Sequence, residues 1–170
     1  MIIRETTESN FEEVFSLIQS AFGNREESDL VRRLISDNDV LINLVAESSS
    51  VILGNIVVST ITMEPDLALF CGGIAPLSVL PDQQSSGIGS KLMKAVIKES
   101  KKMEIDALFL LGDPDYYNRF GFTVSKIKND YSVEHFQELE LNKGCLVKVK
   151  STVKYARAFL SLGTWSNKEE

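Results

Sequence analysis

Between positions 77 and 90 the chain reads Leu77-Ser78-Val79-Leu80-Pro81-Asp82-Gln83-Gln84-Ser85-Ser86-Gly87-Ile88-Gly89-Ser90. An apolar run enters a loop of small polar residues, passes two glycines and opens into a helical pattern. The first turn of a helix carries unpaired N–H groups and the positive end of the helix dipole. Glycine lets a bulky anion approach the backbone, so the stretch has the makings of a diphosphate cradle. The side chains of Gln84, Ser85, Ser86 and Ser90 are candidate donors to that anion, beside the amides of Gly87, Ile88 and Gly89. The plainer reading is a tight strand-to-helix turn that binds nothing, and Gly-Ile-Gly alone would not displace it. Polar small residues where phosphate would sit favour binding.

The pattern narrows the ligand. A nucleoside-triphosphate loop needs Gly-x-x-x-x-Gly-Lys-Ser/Thr, which is absent. A dinucleotide loop needs a third glycine, and that position is Leu92. Asp113 does follow the next strand, where a ribose-binding acid would stand, so a dinucleotide remains an alternative. Against it, such a loop follows the first strand of its domain, and here several strands and two helices come first.

The elements that must carry this loop are legible from periodicity. Ile2 to Arg4 reads as a short strand. Ser9 and Glu12 have capping-box spacing, and Phe11, Val14, Phe15, Ile18 and Phe22 follow at helical spacing up to Gly23-Asn24. A second helix is expected over Glu26 to Ser36. Leu41 to Glu47 and Val51 to Thr62 read as a hairpin joined by Ser48 to Ser50. After Glu64-Pro65-Asp66 a strand is expected over Leu67 to Val79. A helix over Ile88 to Met103 should bury Ile88, Leu92, Ala95, Val96 and Met103. Ala107 to Leu111, apolar throughout, reads as a central buried strand. Gly112-Asp113-Pro114 ends it, a short helix is expected over Tyr116 to Phe120, and strands over Phe122 to Ile127 and Cys145 to Lys150. The order is β-α-α-β-β-β-α-β-α-β-β, an α/β or α+β sandwich with a mixed sheet.

Composition sets outer limits. A length of 170 residues suits one domain, with a core over about 1–126 and a variable segment over 127–170. With 44% hydrophobic and 25% charged residues the chain is ordinary globular protein rather than disordered. No apolar run approaches the roughly 20 residues of a membrane span, and the N-terminus lacks the pattern of a secretory signal. Asn167 to Glu170 read as a frayed end. Cys71 and Cys145 form neither a disulfide framework nor a zinc set, so a reducing cytoplasm and no metal are expected. A formal charge of -6 argues against nucleic acid as a partner.

Two further motifs make the chain resemble a known family. Val79-x-Pro81 followed by Gln84-x-x-Gly87-x-Gly89 resembles the acetyl-coenzyme-A signature of the Gcn5-related N-acetyltransferases. Tyr117-Asn118-Arg119-Phe120-Gly121-Phe122 is similar to that family's late Tyr-x-x-x-Gly-Phe motif. The runs Ala75 to Pro81 and Leu111 to Phe122 look like the YhbS-like branch. The resemblance covers roughly Ile2 to Phe122 and thins beyond.

The resemblance implies a mixed, mostly antiparallel sheet with helices on both faces, in which parallel strands 4 and 5 splay apart at their C-terminal ends. It implies acetyl-CoA as acyl donor and an amine-bearing acceptor, small molecule or protein, with transfer by direct attack in a ternary complex. Leu77, Ser78, Val79 and Gln84 to Ser90, with Asp113, Tyr116 and Tyr117, would line the donor site. An N–H near Val79 would stabilise the developing oxyanion. Tyr117 would protonate the leaving thiolate, a phenol titrating near about 10 being a fit donor. Its other reading is an aromatic anchor for the short helix. A non-catalytic acyl-CoA sensor or partner-binding module of the same fold is the alternative, and a homodimer is compatible with either.

No general base announces itself. His135 reads as a surface residue. Glu47 and Glu64 stand at strand ends, from which a carboxylate can reach an amine through water, though both also read as solvated turn residues. Asn55 is a candidate contact for the acceptor. Cys71 reads as core rather than nucleophile. Arg119 has Asp113 or a phosphate as candidate partners. Lys91 and Lys94 either meet a ribose phosphate or belong to a solvated helix face, with Lys98, Lys101 and Lys102.

Overall fold

The computed structural model describes residues 1–131 and 133–162; the Asn167–Glu170 end lies outside them. Strand β1 (Ile2–Glu5) is followed by helices α1 (Phe11–Phe22) and α2 (Glu26–Ser36) and by strands β2 (Val40–Ser48), β3 (Val51–Glu64) and β4 (Cys71–Val79). Helix α3 (Ile88–Lys102), strand β5 (Ala107–Leu111) and the short helix α4 (Pro114–Tyr117) come next. Strands β6 (Thr123–Val124), β7 (Phe136–Glu140) and β8 (Thr152–Tyr155) and a 3-10 turn over Arg157–Leu162 complete the described chain.

The sheet runs β1-β2-β3-β4-β5-β7-β6, and β8 pairs the end of β3. Only the β4–β5 ladder is parallel among the named pairs; the others are antiparallel. Alternation along the strands divides the core in two. Val45, Val57 and Phe109 pack under α1 and α2 with Val14, Ile18, Leu30 and Leu34. Ile42, Leu44, Ile56 and Leu108 pack under α3 with Ile88, Leu92, Met93 and Val96. Helices therefore cover both faces, as expected.

Several elements depart from the sequence reading, each for a local reason. Helix α1 is entered one turn early. A 3-10 turn over Glu8–Asn10 precedes it, and the Asn10 carboxamide oxygen accepts from the Thr7 N–H, so Ser9 and Glu12 are not its capping box. Strand β4 begins at Cys71, not Leu67: the Leu69 N–H turns back to Leu67 O, and the Phe70 N–H is taken by the Asp106 carboxylate at 2.8 Å. Met93 is fully buried in α3, whereas Met103, expected in the core, is 39% exposed. The strand expected over Phe122 to Ile127 shrinks to Thr123–Val124, because the Ser125 hydroxyl accepts from the Ile127 N–H and bends the chain. Residues 145–148 form turns and 149–150 are irregular, not a strand, since β7 already occupies the edge of β5. No helix among the described residues is long and apolar enough to cross a membrane.

Candidate active site

The β4–β5 ladder holds for three pairs, Cys71 with Ala107, Gly72 with Leu108 and Gly73 with Phe109. Past Gly73 strand β4 stays on β3 while β5 stays on β7, and the two parallel strands part. A bulge at Ala75-Pro76, opposite Val57, resets which residues of β4 face β3. Beyond it the Leu80 N–H bonds to Leu53 O, so Leu80 and Ser78 turn their backbone toward β3. In an antiparallel ladder alternate residues point the other way. Leu77 and Val79 therefore direct their N–H and C=O groups into the gap that β5 leaves.

The loop after β4 closes one end of that gap. Gln84 reaches back, its side-chain Nε2 donating to Val79 O at 3.2 Å. The Ser86 hydroxyl donates to Gln83 O. Ser85 has φ of 62° and Gly87 φ of 90°. The left-handed conformation at Gly87 is cheap only for a residue without a Cβ, and it starts α3 abruptly at Ile88. The first helical bond comes from the Lys91 N–H to Gly87 O, so the amides of Ile88, Gly89 and Ser90 form the open first turn. A Cβ at Gly87 would meet nothing within 4 Å. At Gly89 it would lie 3.4 Å from the Tyr116 hydroxyl, 3.8 Å from Leu77 and 4.0 Å from Val79.

From the β5 side, α4 brings two aromatic residues to the same place. The Tyr116 hydroxyl lies 3.4 Å from Ser90 Oγ. Tyr116 and Tyr117 meet edge to face at 4.9 Å, and Phe120 and Phe122 pack around Tyr117. Tyr117 is buried, its ring lying on Gly112. The structure thus gathers Leu77, Val79, Gln84, Gly89, Ser90, Tyr116 and Tyr117 around the parted strands, with Ser85, Ser86, Gly87 and Ile88 on the adjoining loop. Ser78 is fully buried on the α1 face, its hydroxyl without a hydrogen-bond partner among the described residues.

Other candidates go elsewhere. The exposed Asp113 carboxylate caps α4, accepting from the Asp115 N–H at 2.9 Å. Arg119 pairs with neither Asp113 nor the loop: its Nε donates to Tyr116 O and its guanidinium stacks 4.4 Å above the Tyr116 ring. Glu64 pairs with Lys154 at the end of β3 remote from Gly54, which faces Val79. Glu47 pairs with Arg4 at 2.7 Å, and this contact holds its carboxyl below the usual range. Asn55 is buried and donates to Asn43 Oδ1 and Leu44 O. Cys71 opens β4 at the paired end, and burial pushes its thiol up to about 12, the opposite of an activated nucleophile. Lys91, Lys94 and Lys98 are exposed on α3.

One residue of the site escaped the sequence reading. Gln137, on β7, is fully buried, and its side chain donates at 2.9 Å to the carbonyl of Gly112, the residue on which the Tyr117 ring lies. The run Phe136-Gln137-Glu138-Leu139-Glu140 has too few apolar residues to announce a strand that starts on two buried residues, so no signal marked it.

Comparison with known proteins agrees with this architecture. A family model described as an acetyltransferase (GNAT) domain matches residues 2–125. The chain is 29% identical over 120 residues to the uncharacterized N-acetyltransferase YjhQ of Escherichia coli K12, a match covering 69% of this chain and 66% of YjhQ. It is 26% identical over 126 residues to the uncharacterized N-acetyltransferase YhbS of the same strain, covering 74% and 75%. A crystal structure of E. coli YhbS in complex with CoA superposes with a TM-score of 0.88 at 24% identity, covering 94% of this chain and 91% of that one. A Brucella melitensis GNAT family acetyltransferase in complex with acetyl-CoA gives a TM-score of 0.81 at 28% identity, covering 93% and 97%.

Proposed function

The chain belongs to the GNAT acetyltransferase family, and from that premise we propose that it transfers an acetyl group from acetyl-CoA to a primary amine by direct attack in a ternary complex. One observation carries the reading: the unpaired edge of β4 past Gly73 lies beside the open first turn of α3. The residues present fit such a donor. Leu77 and Val79 offer backbone groups to an extended amide chain, as an added strand would use them. The amides of Ile88, Gly89 and Ser90, with the Ser85–Gly87 turn, suit a diphosphate, and Gly89 keeps clear the space a side chain would fill.

The roles of the chain's own groups follow. The Val79 N–H, facing the gap, steadies the carbonyl oxygen as negative charge develops on it, a contribution of about 3–4 kcal/mol for one well-placed donor. Gln84 fixes the adjoining Val79 carbonyl and so the direction of that edge. The Tyr117 hydroxyl supplies the proton that the departing thiolate takes, and the proton shed by the acylated nitrogen returns to the phenolate through solvent; Gly112, Phe120 and Phe122 hold the ring. CoA binding by the relatives of known structure supports the choice of donor.

Release of free CoA thiol across a library of primary amines tests the activity. Amine-dependent release is the expected result. Silence with every amine, alongside tight CoA binding, favours the second reading, an acyl-CoA sensor of the same fold. The engagement of Glu47 with Arg4 and of Glu64 with Lys154 is the observation behind that reading.

A further inference from the structure

Gln137 lies on β7, paired with Leu110 of β5 on one side and Val124 of β6 on the other. It is 0% exposed. Its Nε2 donates to Gly112 O at 2.9 Å and to His135 O at 3.3 Å, so both amide hydrogens are committed. Gly112 in turn donates its own N–H to His135 O at 3.1 Å. The residue is therefore held at both of its polar groups, at the corner where β5 gives way to α4.

That corner is the seat of Tyr117. A Cβ on Gly112 would fall 2.3 Å from Tyr117 Cε2, so the ring rests directly on the glycine. The Tyr117 N–H returns to Asp113 O, one residue further along the same corner. Any shift of Gly112 moves the surface on which the phenol lies. The Gln137 carboxamide oxygen, by contrast, is buried without a hydrogen-bond partner among the described residues. An apolar side chain of equal length would avoid that cost. The two N–H bonds to the corner are what the amide supplies in return.

We propose that Gln137 is a positioning residue for acetyl transfer: through Gly112 it fixes the ring of Tyr117 at the parted strands. The proposal rests on the reading of Tyr117 as the proton donor. A role in stability alone would leave turnover tied only to the amount of folded protein. A positioning role acts on kcat through Tyr117, while the donor-binding loop, which meets α4 at Ser90 Oγ and the Tyr116 hydroxyl, is reached less directly.

A double-mutant cycle separates the two. Gln137→Met keeps the length and removes both the donors and the unpartnered oxygen. Misplacing a catalytic group by about 1 Å costs on the order of a hundredfold, so kcat is expected to fall roughly ten- to a hundredfold. CoA affinity by calorimetry and the KM for acetyl-CoA should stay within about twofold. With Tyr117→Phe already in place, Gln137→Met should lower kcat by less than about twofold further. Gln137→Leu, apolar and without N–H donors, serves as a second arm if the methionine variant does not fold, and must show the same pattern. Unchanged kcat in the Gln137 variants, or losses that multiply in the double variant while Tyr117→Phe alone is impaired, overturns the positioning role and leaves Tyr117 in place. Full activity in Tyr117→Phe alone overturns both.

Discussion

Gly73 and Phe109 make the last backbone pairing between β4 and β5. The proposed donor site lies beyond that pair. Strand β4 runs on to Val79 with one edge bonded to β3 and the other parted from β5, where Val79 O accepts from Gln84, and the chain then passes through a short loop into α3. A free strand edge and a helix N-terminus side by side offer directional hydrogen bonds to an amide chain and a positive field to a phosphate.

The loop is the first place to test this. Gly87→Glu and Gly89→Glu each put a carboxylate where the anion would sit. At Gly87 the φ of 90° adds strain for any side chain, about 1–2 kcal/mol. CoA affinity measured by calorimetry should fall by roughly a hundredfold or more in both, a like-charge contact of several kcal/mol. Gly89→Ala should be milder, since the nearest atom to its Cβ is the Tyr116 hydroxyl at 3.4 Å, with Leu77 and Val79 at ordinary contact distance.

Gln84→Ala probes the tie between loop and strand. The exposed side chain donates to Val79 O at 3.2 Å. Losing a bond of this kind costs about 0.5–1.5 kcal/mol. The KM for acetyl-CoA should rise severalfold while the melting temperature barely moves. An unchanged KM would separate Gln84 from donor binding.

The legibility of the fold ended where periodicity ended. Helix α2 and strand β5 match the expected spans because each has a clear apolar face or run and a polar or glycine stop. Cys145-Leu146-Val147-Lys148-Val149-Lys150 alternates like a strand, yet Leu146 is buried as a plug while Val147 is 75% exposed. A strand needs an open edge, and β7 had already taken the one beside β5. That competition between segments is not written in either of them. At the site, the glycine turn could be read because its residue types state their conformation. Gln137 could not, because its importance comes from what folds over it.

Gly112→Ala tests the seat of Tyr117 from the other side. The added methyl lies 2.3 Å from the ring, and a buried ring cannot give way freely. Overpacking of this kind costs about 1–3 kcal/mol of stability. Turnover should fall while CoA binding is kept, and the melting temperature should drop. Preserved turnover would detach the Gly112 corner from catalysis.

Cys71 predicts a pH dependence of stability. Burial pushes its thiol up to about 12, with Cys145 and Asp106 adding to the effect and an Ala107 backbone bond opposing it. The unfolded thiol titrates near about 8.5. Below that pH both states hold the proton and the stability is fully present. Above it the unfolded chain ionises first, so stability is lost as pH rises toward about 12. At roughly pH 10 the loss is on the order of 2 kcal/mol. Urea unfolding at neutral and alkaline pH should show a steeper loss in the wild type than in Cys71→Val. Parallel losses in the two proteins would contradict the shift.

A calorimetric titration of the protein with CoA, with NAD as competitor, tests the diphosphate cradle itself. Binding at micromolar concentrations, undisturbed by NAD and lost in Gly87→Glu, is expected. No heat at millimolar CoA, or displacement of CoA by NAD at equal concentration, would contradict it.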